Sequence, residues 1–177
     1  MILETERLYL REMTKADLPA LKSILQNSEV MYAYEHAFSD EEVQQWLDKQ
    51  LASYLSNGFG LWAVIRKKDE QMIGQCGINI QEDQGYEIPE LVYLLRQDCW
   101  HQGYATEAAR GCVEYAFEML CLPELYALIR EDNQPSLQVA KRLEMVEGNT
   151  IMRHYRGKDI PHLVYYIVNE ASPLLDI

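Results

Sequence analysis

The chain has 177 residues, 48% of them apolar and 25% charged, which fits one soluble globular domain with room for one sizeable core. Its 28 acidic residues against 16 basic ones give a net charge of −12, which disfavours a nucleic-acid partner and would focus cationic ones. No run is long enough to span a membrane, and the N-terminus lacks a basic region followed by an apolar stretch, so no membrane partner and a cytoplasmic location are expected.

Residues 2–12 alternate around Leu8 and Leu10 and predict an edge or half-buried strand. Thr14 with Asp17 is an acidic form of the capping box, which predicts a helix from about Lys15 to Asn27. The segment Ser28–Phe38 carries Tyr32, Tyr34 and Phe38 without clear period and reads as a loop or broken helix. Ser39 with Glu42 opens a second helix that should end at Asn57-Gly58. Leu61–Lys67 and Met72–Ile80 form a hairpin, with Gly74 and Gly77 pointing to a bulge or a close backbone approach. Gln81–Gly85 reads as a polar loop, and Pro89 should sit at the start of the next strand.

Leu91–Ala109 is the most informative stretch. Leu91–Leu95 is a short apolar run of strand formers, and Ala105, Ala108, Ala109, Cys112, Val113 and Ala116 recur at helical steps. Between them lies a tight turn closed by Gly103. A strand feeding a helix through such a turn aims several free backbone N–H groups at one spot, where the helix dipole adds partial positive charge. That corner suits an anion, and the small Gly103 and Ala105 let a phosphate reach the main chain. The overall charge would repel a polyanion, so such a site needs nearby bases, for which Arg96, Arg110, Lys141 and Arg142 are candidates. Neither a dinucleotide-binding glycine pattern nor a P-loop lysine is present. The four cysteines show no Cys-x-x-Cys and no histidines at zinc spacing, so no metal site is expected. Beyond this stretch, Leu125–Arg130 predicts a strand and Asn133-Gln134-Pro135-Ser136 a helix start. Two C-terminal strands, around Val146–Arg153 and His162–Val168, close one α+β domain.

The order of these elements resembles the GNAT superfamily of acetyl-CoA-dependent N-acetyltransferases, and within it the branch of the ribosomal-protein N-terminal acetyltransferases (RimJ/RimL-like). The resemblance is carried by Leu3-Glu4-Thr5-Glu6-Arg7-Leu8-Tyr9-Leu10-Arg11, by Glu90–Leu95, by Trp100-His101-Gln102-Gly103-Tyr104-Ala105-Thr106-Glu107-Ala108 and by Asn133–Ser136. It implies a mostly antiparallel sheet of about seven strands with about four helices, splayed between the strand ending near Leu95 and Leu125–Arg130. It also implies that the backbone of His101, Gln102, Gly103, Tyr104, Ala105 and Thr106 holds the pyrophosphate of acetyl-CoA. Leu94 and Leu95 would hold the pantetheine arm and polarise the thioester, with Asn133 and Ser136 also on the cofactor. Glu90 would accept the amine's proton, with Glu87 as its competitor.

The sequence departs from the family at three points. Trp100 opens the loop, Glu144-Met145 replaces a Gly-Phe pair, and Ala140 stands where many relatives have a tyrosine that protonates the leaving thiolate. Tyr93, Tyr155, Tyr165, Tyr166 or solvent could take that role. Tyr32, Tyr34 and Trp46 are candidates to line the acceptor pocket or to fill the core. The implied acceptor is a primary amine: a protein N-terminus, polyamine, aminoglycoside or other small amine, its cationic character suggested by the acidic composition. Monomer and homodimer both fit, and a catalytically weak acetyl-CoA-binding module is the alternative reading.

Overall fold

The computed structural model describes residues 1–83, 86–155 and 157–172. The N-terminal stretch is broken into β1 (Leu3–Glu4) and β2 (Leu8–Arg11), because Thr5 turns the chain and donates to the Leu8 carbonyl. A 3-10 turn at Lys15–Asp17 precedes α1 (Leu18–Leu25), so the first helix is shorter at both ends than its periodicity predicts. The Thr14 amide donates to the Asp17 carboxylate at 2.7 Å, as the capping box requires. Ser28–Phe38 contains one 3-10 turn at Tyr32–Tyr34, and α2 (Asp40–Asn57) starts at the Ser39–Glu42 box and stops at Gly58, φ 76°.

Next come β3 (Leu61–Arg66), β4 (Gln71–Asp83) and β5 (Tyr86–Leu95). The polar run Gln81–Asp83 belongs to β4 rather than to a loop, since Gln81 and Glu82 pair with Ile88 and Glu87. Gln84 and Gly85, the rest of that expected loop, lie outside the described residues. The expected bulge and the expected close approach are both present. The β3–β4 register shifts beside Val64, skipping Ile73, and a Cβ on Gly77 would fall 2.1 Å from the Gly60 carbonyl. The remaining elements are α3 (Tyr104–Glu118), β6 (Glu124–Arg130), α4 (Gln134–Arg142), β7 (Val146–Tyr155) and β8 (Lys158–Val168).

The eight strands form one sheet in the order β1-β2-β3-β4-β5-β6-β8-β7. All neighbours are antiparallel except β5 and β6, whose single register pair among the described residues is Glu90 with Tyr126. Beyond that pair the two strands diverge and open a wedge, as the splayed sheet requires. Two apolar layers flank the sheet. One packs α3 and α4 against Leu91, Leu95, Leu125, Ala127 and Ile129, and the other packs α1 and α2 against Leu61, Ala63 and Ile65. The small residues of α3 let it lie close, with Gly111 against Leu3 and Thr5.

Pro89 sits inside β5, opposite Ile80, and not at the strand's start. The ladder explains why a proline is tolerated there. The Arg96 amide donates to the Ile73 carbonyl at 2.8 Å, one step beyond the Leu95–Gly74 pair. In antiparallel geometry that marks Leu95–Gly74 as a pair exchanging no hydrogen bonds, so the Leu95 amide turns away from β4. By alternation Pro89, Leu91 and Tyr93 turn the same way, and Pro89 has no amide to lose.

Candidate functional site

A cleft of 1620 Å³ enters between α3 and α4 and runs through the wedge to the opposite face of the sheet. It is bordered by Glu90, Leu94, Leu95, His101, Gly103, Tyr104, Ala105, Thr106, Asn133 and Ser136. Ten of the eleven residues expected at the site therefore share one cavity. Gln102 does not border it. Its side chain donates to the Asp98 carbonyl, and its own carbonyl accepts from Arg7 at 3.0 Å.

The first corner is built of main chain. His101 and Gly103 adopt φ of 59° and 81°, turning the backbone so that Gly103 caps α3. Among the described residues, none of the amides from His101 to Thr106 donates to a carbonyl. They are the orphan donors of a helix start gathered at one point. The corner is clamped from the N-terminus of the chain, which the expected site residues did not include. The Arg7 guanidinium lies 2.7 Å from Glu107 and 4.4 Å from the Tyr104 ring centre, while the Thr5 hydroxyl donates to Glu107 at 2.6 Å. Burial alone would push the Glu107 carboxyl up, but Thr5 and Arg7 together hold it below the usual carboxylate range. Of the four bases suggested by composition, Arg110 and Arg142 border the cleft. Arg96 pairs with Asp98 outside it, and Lys141 does not border it. Asn133 caps α4, accepting from the Ser136 amide at 3.2 Å.

In the wedge, the Leu95 carbonyl accepts from the Trp100 indole at 3.0 Å, so this tryptophan braces the strand end behind the loop. The Leu95 amide faces the same opening, as the ladder dictates. Glu90 lies where β5 and β6 part, only 7% exposed. Gln81 donates to its Oε2 at 2.6 Å, and the Arg153 guanidinium stands 3.8 Å from Oε1. Burial raises the Glu90 carboxyl above its ordinary range, opposed first by the Arg153 charge and then by Gln81 and the nearby Leu128 main chain. Glu87, the competing carboxylate, is exposed and paired across the sheet with Glu82, away from the cleft.

The far half of the cleft is lined by Tyr32, Tyr34, Trp46, Arg153, Tyr155 and His162. Tyr34 and Trp46 meet edge to face at 5.9 Å, so these aromatics both wall the cleft and pack against one another. His162 is buried, with Nδ1 3.0 Å from the Ile160 carbonyl and its ring 5.8 Å from that of Tyr155, and burial lowers its pKa and favours the neutral ring. The tyrosines considered as proton donors separate cleanly. Tyr165 donates to Glu147 and Tyr166 packs on Tyr126, neither bordering the cleft, whereas Tyr93 and Tyr155 do border it. Tyr93 donates to the Ser136 carbonyl at 3.0 Å, and burial raises its pKa. Ala140 is fully buried in the core. Glu144 takes the left-handed backbone, φ 61°, that a glycine would adopt without strain, and Met145 fills the apolar position after it.

The family model described as "Acetyltransferase (GNAT) domain" matches residues 7–146. The chain belongs to the GNAT acetyltransferase family. Among its relatives, the uncharacterized protein YkkB of Bacillus subtilis (strain 168) is 30% identical over 152 residues, covering 85% of this chain and 88% of that one. The crystal structure of a GNAT-family acetyltransferase from Bacillus anthracis superposes with a TM-score of 0.81 at 22% identity, over 94% of this chain and 98% of that one. RimL, the ribosomal L7/L12 α-N-protein acetyltransferase in complex with coenzyme A, superposes with a TM-score of 0.79 at 17% identity, over 96% and 98% of the two chains. This GNAT protein therefore shares its fold with RimL, and its eight-stranded sheet is one strand larger than the sequence suggests, through the short β1.

Proposed function

We propose that this GNAT protein transfers an acetyl group from acetyl-CoA to a primary amine, both substrates bound together in the one cleft. The observation that carries the reading is that His101 and Gly103–Thr106, whose amides have no hydrogen-bond partner among the described residues, border the same cavity as the buried Glu90 carboxylate. The donor set suits a diphosphate: main-chain N–H groups at a helix start, a glycine at positive φ, and Arg110 and Arg142 along the rim. Acetyl-CoA bound there would supply an activated thioester, with Leu94, Leu95, Asn133 and Ser136 as the residues that would hold its pantetheine arm.

The residues then act as follows. A free alkyl amine is mostly protonated at neutral pH and must lose a proton to attack. Glu90 takes that proton directly or through a water, and its raised pKa makes it a better base than an ordinary carboxylate. The amine's C–N bond forms as the C–S bond breaks, and the second N–H proton leaves to solvent, balancing the proton that the departing thiolate takes up. The Leu95 amide, turned into the wedge, donates to the carbonyl oxygen as it gains charge; one such donor is worth roughly 3–4 kcal/mol. Tyr155, Tyr93 or solvent supplies the thiolate's proton in place of the tyrosine that Ala140 displaces. The field of the molecule favours a cationic amine at long range.

Ala140 also favours a second reading, a protein that binds acetyl-CoA and turns it over weakly. Free-thiol release from acetyl-CoA with a panel of amines separates the two. Amine-dependent release that is lost in Glu90→Gln supports the enzyme. Cofactor binding without amine-dependent release supports the weak module.

A further inference from the structure

The charges around the inner half of the cleft do not follow those of the whole chain. Besides Glu90, its charged lining is Arg130, Arg153 and Lys49, with Glu29 at the outer edge. Arg130 is fully engaged: it lies 2.5 Å from Glu35 and 2.8 Å from Asp132, and donates to the Tyr32 carbonyl at 3.1 Å. Arg153 is not. Among the described residues its guanidinium makes no hydrogen bond. It rests 5.5 Å from the Tyr155 ring centre, and its 3.8 Å separation from Glu90 is too long for one. Glu90 meanwhile accepts its hydrogen bond from Gln81, not from Arg153. Arg153, its side chain 26% exposed, thus lines the cavity beside the base with its donor fork in no hydrogen bond among the described residues. The planar fork of arginine matches a carboxylate in two parallel bonds.

We propose that the acceptor is a free α-amino acid, its carboxylate held by Arg153 while its amine faces Glu90. This rests on the acetyltransferase reading and names the substrate of that same site. The spacing fits: a carboxylate one carbon from the amine bridges two protein groups that stand side by side. Tyr32, Tyr34 and Trp46 leave an apolar wall for the side chain. The negative charge of the surface does not oppose this. Exposed charges are screened within about 8 Å at physiological salt, and inside the cleft the nearby guanidinium dominates. For the same reason a polyamine, whose second charge would meet Arg153, is a poor fit.

The test uses two substrate triads, leucine with leucinamide and isoamylamine, and phenylalanine with phenylalaninamide and phenethylamine. The amide is a weaker base than the amino acid and the decarboxylated amine a stronger one, so preference for the acid over both cannot come from amine basicity. Free-thiol release should show kcat/KM for the amino acid about 10- to 100-fold above both companions, mainly through KM. In Arg153→Gln that ratio should fall to within about threefold of one, and Arg153→Lys, with a charge but no fork, should lie between. Equal or better turnover of the companions or of spermidine, or a ratio unchanged in Arg153→Gln, overturns the proposal. If no amine supports thiol release, the acetyltransferase reading fails on its own. Calorimetric titration of leucine and phenylalanine into the protein saturated with coenzyme A then decides: binding lost in Arg153→Gln upholds the carboxylate site, and no binding to the wild type overturns it.

Discussion

The two ends of the cleft are built from different materials. The corner at Gly103 is main chain, drawn from consecutive residues at one strand–helix junction. The wedge around Glu90 is side chain, drawn from β4, β5, β7, β8, α2 and the Tyr32 turn. A main-chain site can be read from a local pattern and is hard to alter without breaking the turn. A side-chain site depends on long-range pairing and can be rebuilt one residue at a time. Such a division suits an enzyme family with a common donor and varied acceptors.

The sharpest break of the first corner is Gly103→Val. A β-branched residue at φ 81° costs on the order of 1–3 kcal/mol, and displaced amides lose hydrogen bonds to charge of about 1.5–3 kcal/mol each. Acetyl-CoA affinity should fall about 100-fold or more by calorimetry, while far-ultraviolet circular dichroism stays close to wild type. The corresponding break of the wedge is Glu90→Gln, expected to lower kcat by roughly 10²–10⁴ with cofactor affinity changed less than about threefold. It also carries a pH signature. In the wild type kcat/KM should rise as Glu90 loses its proton, at a pH above the ordinary carboxylate value of about 4.3 because burial raises its pKa. Glu90→Gln should abolish that limb. A Gly103 variant should keep it, since the two ends act separately.

Smaller effects test how the corner is held. Glu107→Gln removes the charge that ties Thr5 and Arg7 to α3 and should destabilise the protein by about 1–3 kcal/mol, read as a lower melting temperature. Because the folded Glu107 is held below its ordinary pKa, its contribution is complete above that value and is lost as the pH falls through the folded pKa. The gap between wild type and variant should therefore close in acid. Asn133→Ala removes the α4 cap at about 1 kcal/mol. If Asn133 also contacts the cofactor, KM for acetyl-CoA rises several-fold; if it is only a cap, melting temperature falls and KM stays put.

What the sequence made legible follows the same division. Apolar periods, two capping boxes and glycine positions placed nearly every element, and the Gly103 corner was visible because its residues are neighbours in the chain. The errors were physical. Gln81–Asp83 looked like a loop because polar residues at the outer end of a long hairpin need no core, yet the ladder continues through them. Pro89 looked like a strand boundary because the orientation of its nitrogen depends on a register that no local pattern reveals. Arg153 and His162 carry no local signal of a site, since only the β7–β8 hairpin folding back beside the wedge brings them, with the candidate proton donor Tyr155, to Glu90. Arg7 lay within a recognised motif, but its purpose became clear only with Glu107 beneath it.

That last contact has a bearing on how the protein is made. The Arg7 amide and the Glu107 carboxylate it donates to are separated by 100 positions along the chain. On a ribosome the amino-terminal strands therefore emerge long before the helix that fastens them, and the Gly103 corner stays unfinished until more than half of the polypeptide has been synthesised. Any tag or deletion that loosens those first residues would reach the proposed coenzyme seat from the far end of the message.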